Sequence, residues 1–269
     1  MFDPSSVIDD LHRESEELDQ LVGKLEEGEW ALPTPAEGWS VAHQIAHLAW
    51  TDRATVLAVT DAEAFGRETE KAFAAPNSFV DEAAEEWSRA EPALLLANWR
   101  AGRAELESVL RSASPGVRFP WYGPPMSAAS MTTARLMETW AHGQDVADAL
   151  GVTREPTDRL KHVARIGVRT RNFAFGVRGL TPPSEEFRVE LVAPSGELWT
   201  FGPEDAAQRV TGPALDFCLL VTQRANRADL AVRAKGPDAD RWLDIAQAFA
   251  GPSGTGRAPK RAKGAGDDH

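Results

Sequence analysis

Glu138 and His142 stand four residues apart in the stretch MTTARLMETWAHGQDVADAL, residues 131–150. In a helix that spacing turns the second side chain only about 40° from the first, so both leave one face. A carboxylate and an imidazole so placed can grip one metal ion, but the stretch offers no clear third ligand. A second pair, His43 and His47, lies in GWSVAHQIAHLAW, again four apart. HQIAH differs by one residue from the HExxH of zinc proteases. Gln44 stands where the catalytic glutamate would, and a glutamine cannot serve as general base, which sets peptide hydrolysis aside. Each histidine alone reads as a satisfied structural residue. Two such pairs on two helices make a metal site an equal contender.

The elements that must position these pairs are helical. Between Pro4 and about Glu27, apolar Val7, Ile8, Leu11, Leu18, Leu21, Val22 and Leu25 recur at three- and four-residue steps among charges, the pattern of a helix with one buried face. GEWALPTPAEGW breaks it, and Ser40 is placed to cap a second helix running to about Thr60. Residues 61–78 read as a partly helical loop. A long helix is predicted from about Val80 to Ser112, kinked near Pro92. SPGVRFPWYGPPMS is too rich in Pro and Gly to be regular and delivers Trp121 and Tyr122 just ahead of the helix carrying Glu138, which runs from near Ser127 to Gly151. Four long amphipathic helices imply a bundle, whose core is a common place for a metal.

After a linker near residue 152 the pattern changes. Residues 158–178 read as a basic amphipathic helix, and FRVELVAPSGELWTF alternates on either side of Pro194-Ser195-Gly196 as a β-hairpin does. Residues 202–212 read as a strand or turn. Helices are predicted at 213–227 and 238–249, with a strand in ADLAVRAKG between them. The expected fold is thus mainly α with a smaller α+β part: a helical metal-binding domain over 1–151, an α+β domain over 152–251 and a disordered tail over 252–269.

Composition narrows the function classes. The 269 residues are 42% hydrophobic and 26% charged, without the run of about 18 apolar residues that spans a bilayer. The acidic, amphipathic amino terminus lacks the features of a signal peptide, which predicts a cytoplasmic protein without a membrane partner. One cysteine, Cys218, excludes internal disulfides and protein-ligated iron–sulfur clusters, and its apolar surroundings make it a core residue. A formal net charge of −12 argues against a nucleic-acid partner.

GWSVAHQIAHLAW together with ETWAHGQDVADALG resembles the metal-binding domain of the mycothiol-dependent maleylpyruvate isomerase family, within the DinB-like four-helix superfamily. The resemblance covers roughly residues 5–151. It implies that His47, Glu138 and His142 hold a divalent metal, zinc being the first candidate, while His43 has no counterpart. The segment from Arg169 to Arg224 resembles the wyosine base formation domain of tRNA wyosine-synthesis enzymes, whose chemistry uses a cysteine-ligated cluster that one cysteine cannot build. The whole arrangement is similar to a group of actinobacterial proteins described only as metal-binding.

Three protein ligands leave zinc an exchangeable position, the arrangement of catalytic rather than structural sites. A small thiol such as mycothiol would lose its proton there and become a nucleophile. Around the ligands, Asp145 is placed to accept the second ring N–H of His142, and Asp52 is a further candidate outer partner. Arg135 is a candidate for a substrate carboxylate or for pairing with an acid. Trp39, Trp50, Trp121 and Tyr122 are candidates for the pocket, Trp121 and Tyr122 with Arg135 for cofactor contacts. Arg209, Arg224 and Arg227 are further thiol-cofactor candidates, against surface ion pairing. The leading expectation is a thiol-dependent isomerase or transferase acting on a small electrophilic substrate. Two alternatives stay open: a non-enzymatic binding module with a structural metal, and a tRNA-modification accessory. Substrate, metal identity and oligomeric state are not legible.

Overall fold

The computed structural model describes residues 4–260 except 77, 252 and 255. Among them no helix is long and apolar enough to cross a membrane. The chain divides into two compact units, Met1–Arg154 and Glu155–His269.

In the first unit, α1 (Pro4–Val22) buries Val7, Ile8, Leu11, Leu18 and Val22 along one stripe and ends at Gly23, earlier than the spacing of Leu25 suggested. A 3-10 turn (Glu27–Ala31) and a loop lead to α2 (Val41–Thr60), capped by Ser40 as expected. Small and apolar residues surround α2 on every side, as in a helix that is buried all round. It touches α3 (Ala62–Ala74), α4 (Phe79–Ser88), α5 (Pro92–Ser112) and α6 (Ala128–Leu150), while α1 packs on α5 and α6. The long helices α1, α2, α5 and α6 are the expected bundle. Its core includes Leu18, Val41, Ile45, Leu48, Leu95, Trp99 and Val146. Each such side chain contributes about 1.5–3 kcal/mol on burial.

One expectation for this unit is corrected and another is made more definite. The helix predicted over 80–112 is two helices, because Pro92 drives Glu91 into an extended conformation (φ −51°, ψ 137°) and then opens α5 instead of kinking it. The region read as a partly helical loop contains α3, capped by the Asp61 carboxylate accepting from the Ala64 amide at 2.9 Å. Between α5 and α6 the short strands β1 (Arg118–Phe119) and β2 (Met126–Ser127) pair antiparallel and close the loop that carries Trp121 and Tyr122. Gly151 ends α6 in the left-handed region at φ 66°, the C′ position expected for glycine.

The second unit is α+β. The expected helix over 158–178 is split into α7 (Leu160–Arg169) and α8 (Arg171–Gly176) at Thr170, whose backbone leaves the helical region (φ −87°, ψ 6°). The hairpin of β3 (Phe187–Val192) and β4 (Leu198–Phe201) forms as read, with Gly196 in its turn at φ 87°. β5 (Gln208–Pro213) runs parallel to β3, and β6 (Arg233–Lys235) lies antiparallel to β5, giving the order β4-β3-β5-β6. α9 (Ala214–Val221) and α10 (Pro237–Ile245) are shorter than predicted. Trp242 meets Phe187 and Phe217 edge-on in the core. Cys218 is fully buried 3.5 Å from the Leu160 carbonyl, and burial pushes its thiol well up. Of the expected tail, residues 256–260 are held against this unit by Asn226 on the Arg257 carbonyl and by the Lys260 amide on Asp229. Residues 261–269 lie outside the described part.

Candidate metal centre

His47 sits in the middle of α2, and Glu138 and His142 lie one turn apart on α6, which packs against it. The two helices bring the three side chains together: Glu138 Oε2 is 3.1 Å from His142 Nε2 and 3.5 Å from His47 Nε2. One ligand atom from each lies within 4.8 Å of the others, a group able to hold a metal ion. Both imidazoles are buried, whereas the Glu138 side chain keeps 22% of its surface in solvent, so the centre opens on the carboxylate side.

Burial would raise the Glu138 carboxyl, but hydrogen bonding to His142 and His47 outweighs it and holds the group well below the ordinary carboxylate value. The environment of His142 is telling. Its Nδ1 lies 2.5 Å from Gln44 Oε1, so an amide oxygen and a carboxylate oxygen face its two nitrogens. Neutral imidazole has one N–H and satisfies only one of them. A metal ion between Nε2 and Glu138 removes the conflict, as a second ring proton also would, and two imidazole nitrogens with one carboxylate oxygen are an ordinary zinc donor set. Behind His47, Nδ1 is buried with no hydrogen-bond partner among the described residues, so this ring is less firmly held from behind than His142.

Trp39 covers the pair, its ring stacked on His142 at 5.9 Å and 5.4 Å from that of His47, with its indole N–H donated to Asp81 on α4 at 2.9 Å. His43 is elsewhere engaged. Its Nδ1 meets Ser40 in the cap of α2, and its Nε2 lies 2.9 Å from Glu85.

The other candidates are placed as follows. Arg135 Nε donates to Asp52 Oδ1 at 2.9 Å, and both side chains are at most 5% exposed, so the arginine pairs with an acid as the second of its two readings had it. Burial pushes the Asp52 carboxyl up, and Arg135 works against that rise. Asp145 is fully buried one turn beyond His142. Trp121 stacks on Phe65 at 5.7 Å, and Tyr122 packs among Phe65, Phe79 and Trp50. Burial raises the Tyr122 phenol, whose oxygen has no partner among the described residues. Tyr122, Trp50, Phe79, Trp87 and Arg53 line a cavity of about 370 Å³, and Trp50 joins it to the centre through ring contact with His47 at 5.8 Å. Arg209 pairs with Glu190, Arg227 pairs with Asp240 and Asp244, and Arg224 donates to the Thr222 carbonyl.

Gln44 was passed over in the sequence because its only recorded meaning there was the missing glutamate of HExxH. Its position three residues before His47 and on the buried side of α2 was the available signal.

A DinB-like bundle with a His, Glu, His group between its second and last long helices defines the class. The chain belongs to the family of the mycothiol maleylpyruvate isomerase N-terminal domain, whose pattern matches residues 11–147. Residues 183–235 match the wyosine base formation family. Two uncharacterized proteins of Mycobacterium tuberculosis, from strains CDC 1551 / Oshkosh and ATCC 25618 / H37Rv, are each 58% identical over 257 residues, which is 96% of this chain and 100% of theirs. The crystal structure of the mycothiol-dependent maleylpyruvate isomerase is similar in fold, with TM-score 0.59 and 16% identity over 88% of this chain and 96% of that one. A histidine-to-alanine mutant of that enzyme gives TM-score 0.61 and 18% identity with the same coverage.

Proposed function

We propose that this protein is a cytoplasmic, divalent-metal enzyme that uses a small thiol, mycothiol or a relative, in an isomerase- or transferase-type reaction on a small electrophile. The observation that carries the reading is the convergence of His47 Nε2, Glu138 Oε2 and His142 Nε2 on one point with a partly exposed side, in a chain of the isomerase family. These three residues would hold the metal, zinc being the first candidate. When bound, such an ion would stabilise the thiolate of an incoming thiol at neutral pH.

The chain's own residues supply the rest. Ionised Glu138 offsets part of the positive charge, and the exposed edge beside it is where a thiol enters. Trp39 shields the two imidazoles from bulk water, which strengthens the electrostatics of the site. The thiol gives up its proton, and its sulfur forms a bond to an activated carbon of the substrate while the π electron pair of that double bond moves into the conjugated system. Rotation and re-formation of the double bond with loss of the thiolate complete an isomerisation, whereas return of a proton to the electron-rich carbon, with the sulfur–carbon bond kept, completes a transfer.

The test is turnover of conjugated small electrophiles by metal-loaded protein with and without the thiol. Thiol-dependent turnover lost in Glu138→Ala supports the reading. A stoichiometric metal with no thiol-dependent turnover favours the second reading, a metal that ties α2 to α6 within a binding module. The tRNA-accessory reading is opposed by the net charge of −12, and retention of tRNA at physiological salt would revive it.

A further inference from the structure

We propose that Gln44, backed by Thr34, is a positioning residue that fixes His142 in the tautomer whose Nε2 lone pair faces the metal point, and ties that choice to the loop bearing Trp39. The inference rests on the metal reading of the same centre, but its first readout needs no metal.

The Thr34 hydroxyl lies 2.8 Å from the Trp39 carbonyl and 2.8 Å from the Gln44 amide. A carbonyl oxygen only accepts, so the single hydroxyl hydrogen goes to Trp39, and Thr34 must accept from Gln44. Gln44 therefore turns its NH2 group to Thr34 and its oxygen to His142, 2.5 Å from Nδ1. An amide oxygen also only accepts, so the bond to Gln44 needs the imidazole hydrogen on Nδ1, in competition with the Glu138 carboxylate, which accepts at Nε2. With a metal ion between Nε2 and Glu138 that competition ends, the hydrogen stays on Nδ1 and the Nε2 lone pair is left for the ion. Flipping the amide would take the Thr34 hydrogen away from Trp39 and lose a bond. Gln44 is fully buried, so water cannot replace either partner.

The same chain of bonds organises the cover. Thr34 also donates its backbone N–H to the Trp39 carbonyl at 2.8 Å, and a bridge between Pro33 and Ser40 closes the loop. The Trp39 ring then rests on both imidazoles. One polar chain thus sets the proton behind His142 and the indole over it. Partners of this kind behind a metal-bound histidine are worth about 10- to 100-fold in metal affinity.

The test begins with metal-free Glu138→Ala protein at alkaline pH, where imidazole is neutral and the competing carboxylate is gone, reading the ring nitrogens of His142 by 15N NMR. The expected form in this background is Nδ1–H, with a rise of the Nε2–H form when Gln44→Leu is added and a smaller rise with Thr34→Val. Zinc affinity, measured by competition with a chromophoric chelator, should fall about 10- to 100-fold in Gln44→Leu and be kept in Gln44→Glu, which restores the acceptor. His142 in the Nε2–H form in the Glu138→Ala background overturns the proposal, as does Gln44→Leu in the otherwise wild-type protein binding zinc like the wild type. Equal loss in Gln44→Glu and Gln44→Leu overturns it too, since that is the signature of packing alone. If Gln44→Leu does not fold, Thr34→Val decides: an unchanged tautomer population overturns the proposal. Expected tautomers in a protein that binds no zinc would uphold the hydrogen-bond chain while the metal reading fails.

Discussion

Asp52 and Arg135 form a pair that neither α2 nor α6 could bury alone. Removing one partner strands a charge in the bundle, so Asp52→Ala should cost about 3–5 kcal/mol in urea unfolding, while Asp52→Leu combined with Arg135→Met should cost far less. Equal losses in the single and double variants would contradict the burial argument. Asp19 on α1 behaves differently, because its hydrogen bonds from Arg100 and the charge of Arg103, which also donates to it, lower its pKa. A lowered carboxyl stabilises the fold above its unfolded value and loses that contribution as pH falls through the folded one. The urea midpoint should therefore drop as pH falls below the ordinary carboxylate range, about 4, and on through the lowered folded value, more steeply in the wild type than in Asp19→Asn. At this scale Glu138 and His142 were legible because helix geometry alone puts them together. The choice of His47 came from resemblance, and Gln44 was not legible because its meaning depends on an imidazole from another helix.

Among the elements, the contact of α7 with α9 is set by Gly167. A Cβ built there would lie 2.8 Å from Val221 Cγ2, and a β-branched side chain has few rotamers with which to yield. Gly167→Ala should lower stability by about 1–3 kcal/mol in urea unfolding, and Val221→Ala should recover part of the loss in the double variant. Additive losses would show that the two do not share the contact. Nothing in the spacing of α7 marked this glycine, since a helix–helix approach is written in two distant segments. The caps, by contrast, are local chemistry, and Ser40, Ser127 and Gly151 could be read from neighbouring residues. Boundaries failed where single residues overrode periodicity: Pro92 forced a break between α4 and α5, and the chain leaves the helical region at Thr170 between α7 and α8.

For the whole molecule, a mainly α chain with a smaller α+β part was readable from the change of hydrophobic period after Gly151. The order β4-β3-β5-β6 was not, because the parallel pairing of β3 with β5 joins strands that only the folded second unit brings side by side. The first compact unit runs through Arg154, which reaches back to the Trp140 carbonyl and Glu14, an anchor no linker composition reveals. The first unit gathers the proposed ligands from its second and last long helices, so a bound ion ties together segments distant in sequence. At a free metal concentration 100 times Kd it should add about 2.7 kcal/mol to stability, seen as a concentration-dependent rise in Tm. The most direct measurement is the metal-to-protein ratio of protein purified without chelator or nickel resin. The account predicts about one divalent ion per chain and near none in folded His142→Ala or Glu138→Ala. Metal-free wild type, or unchanged metal content in both variants, would contradict it.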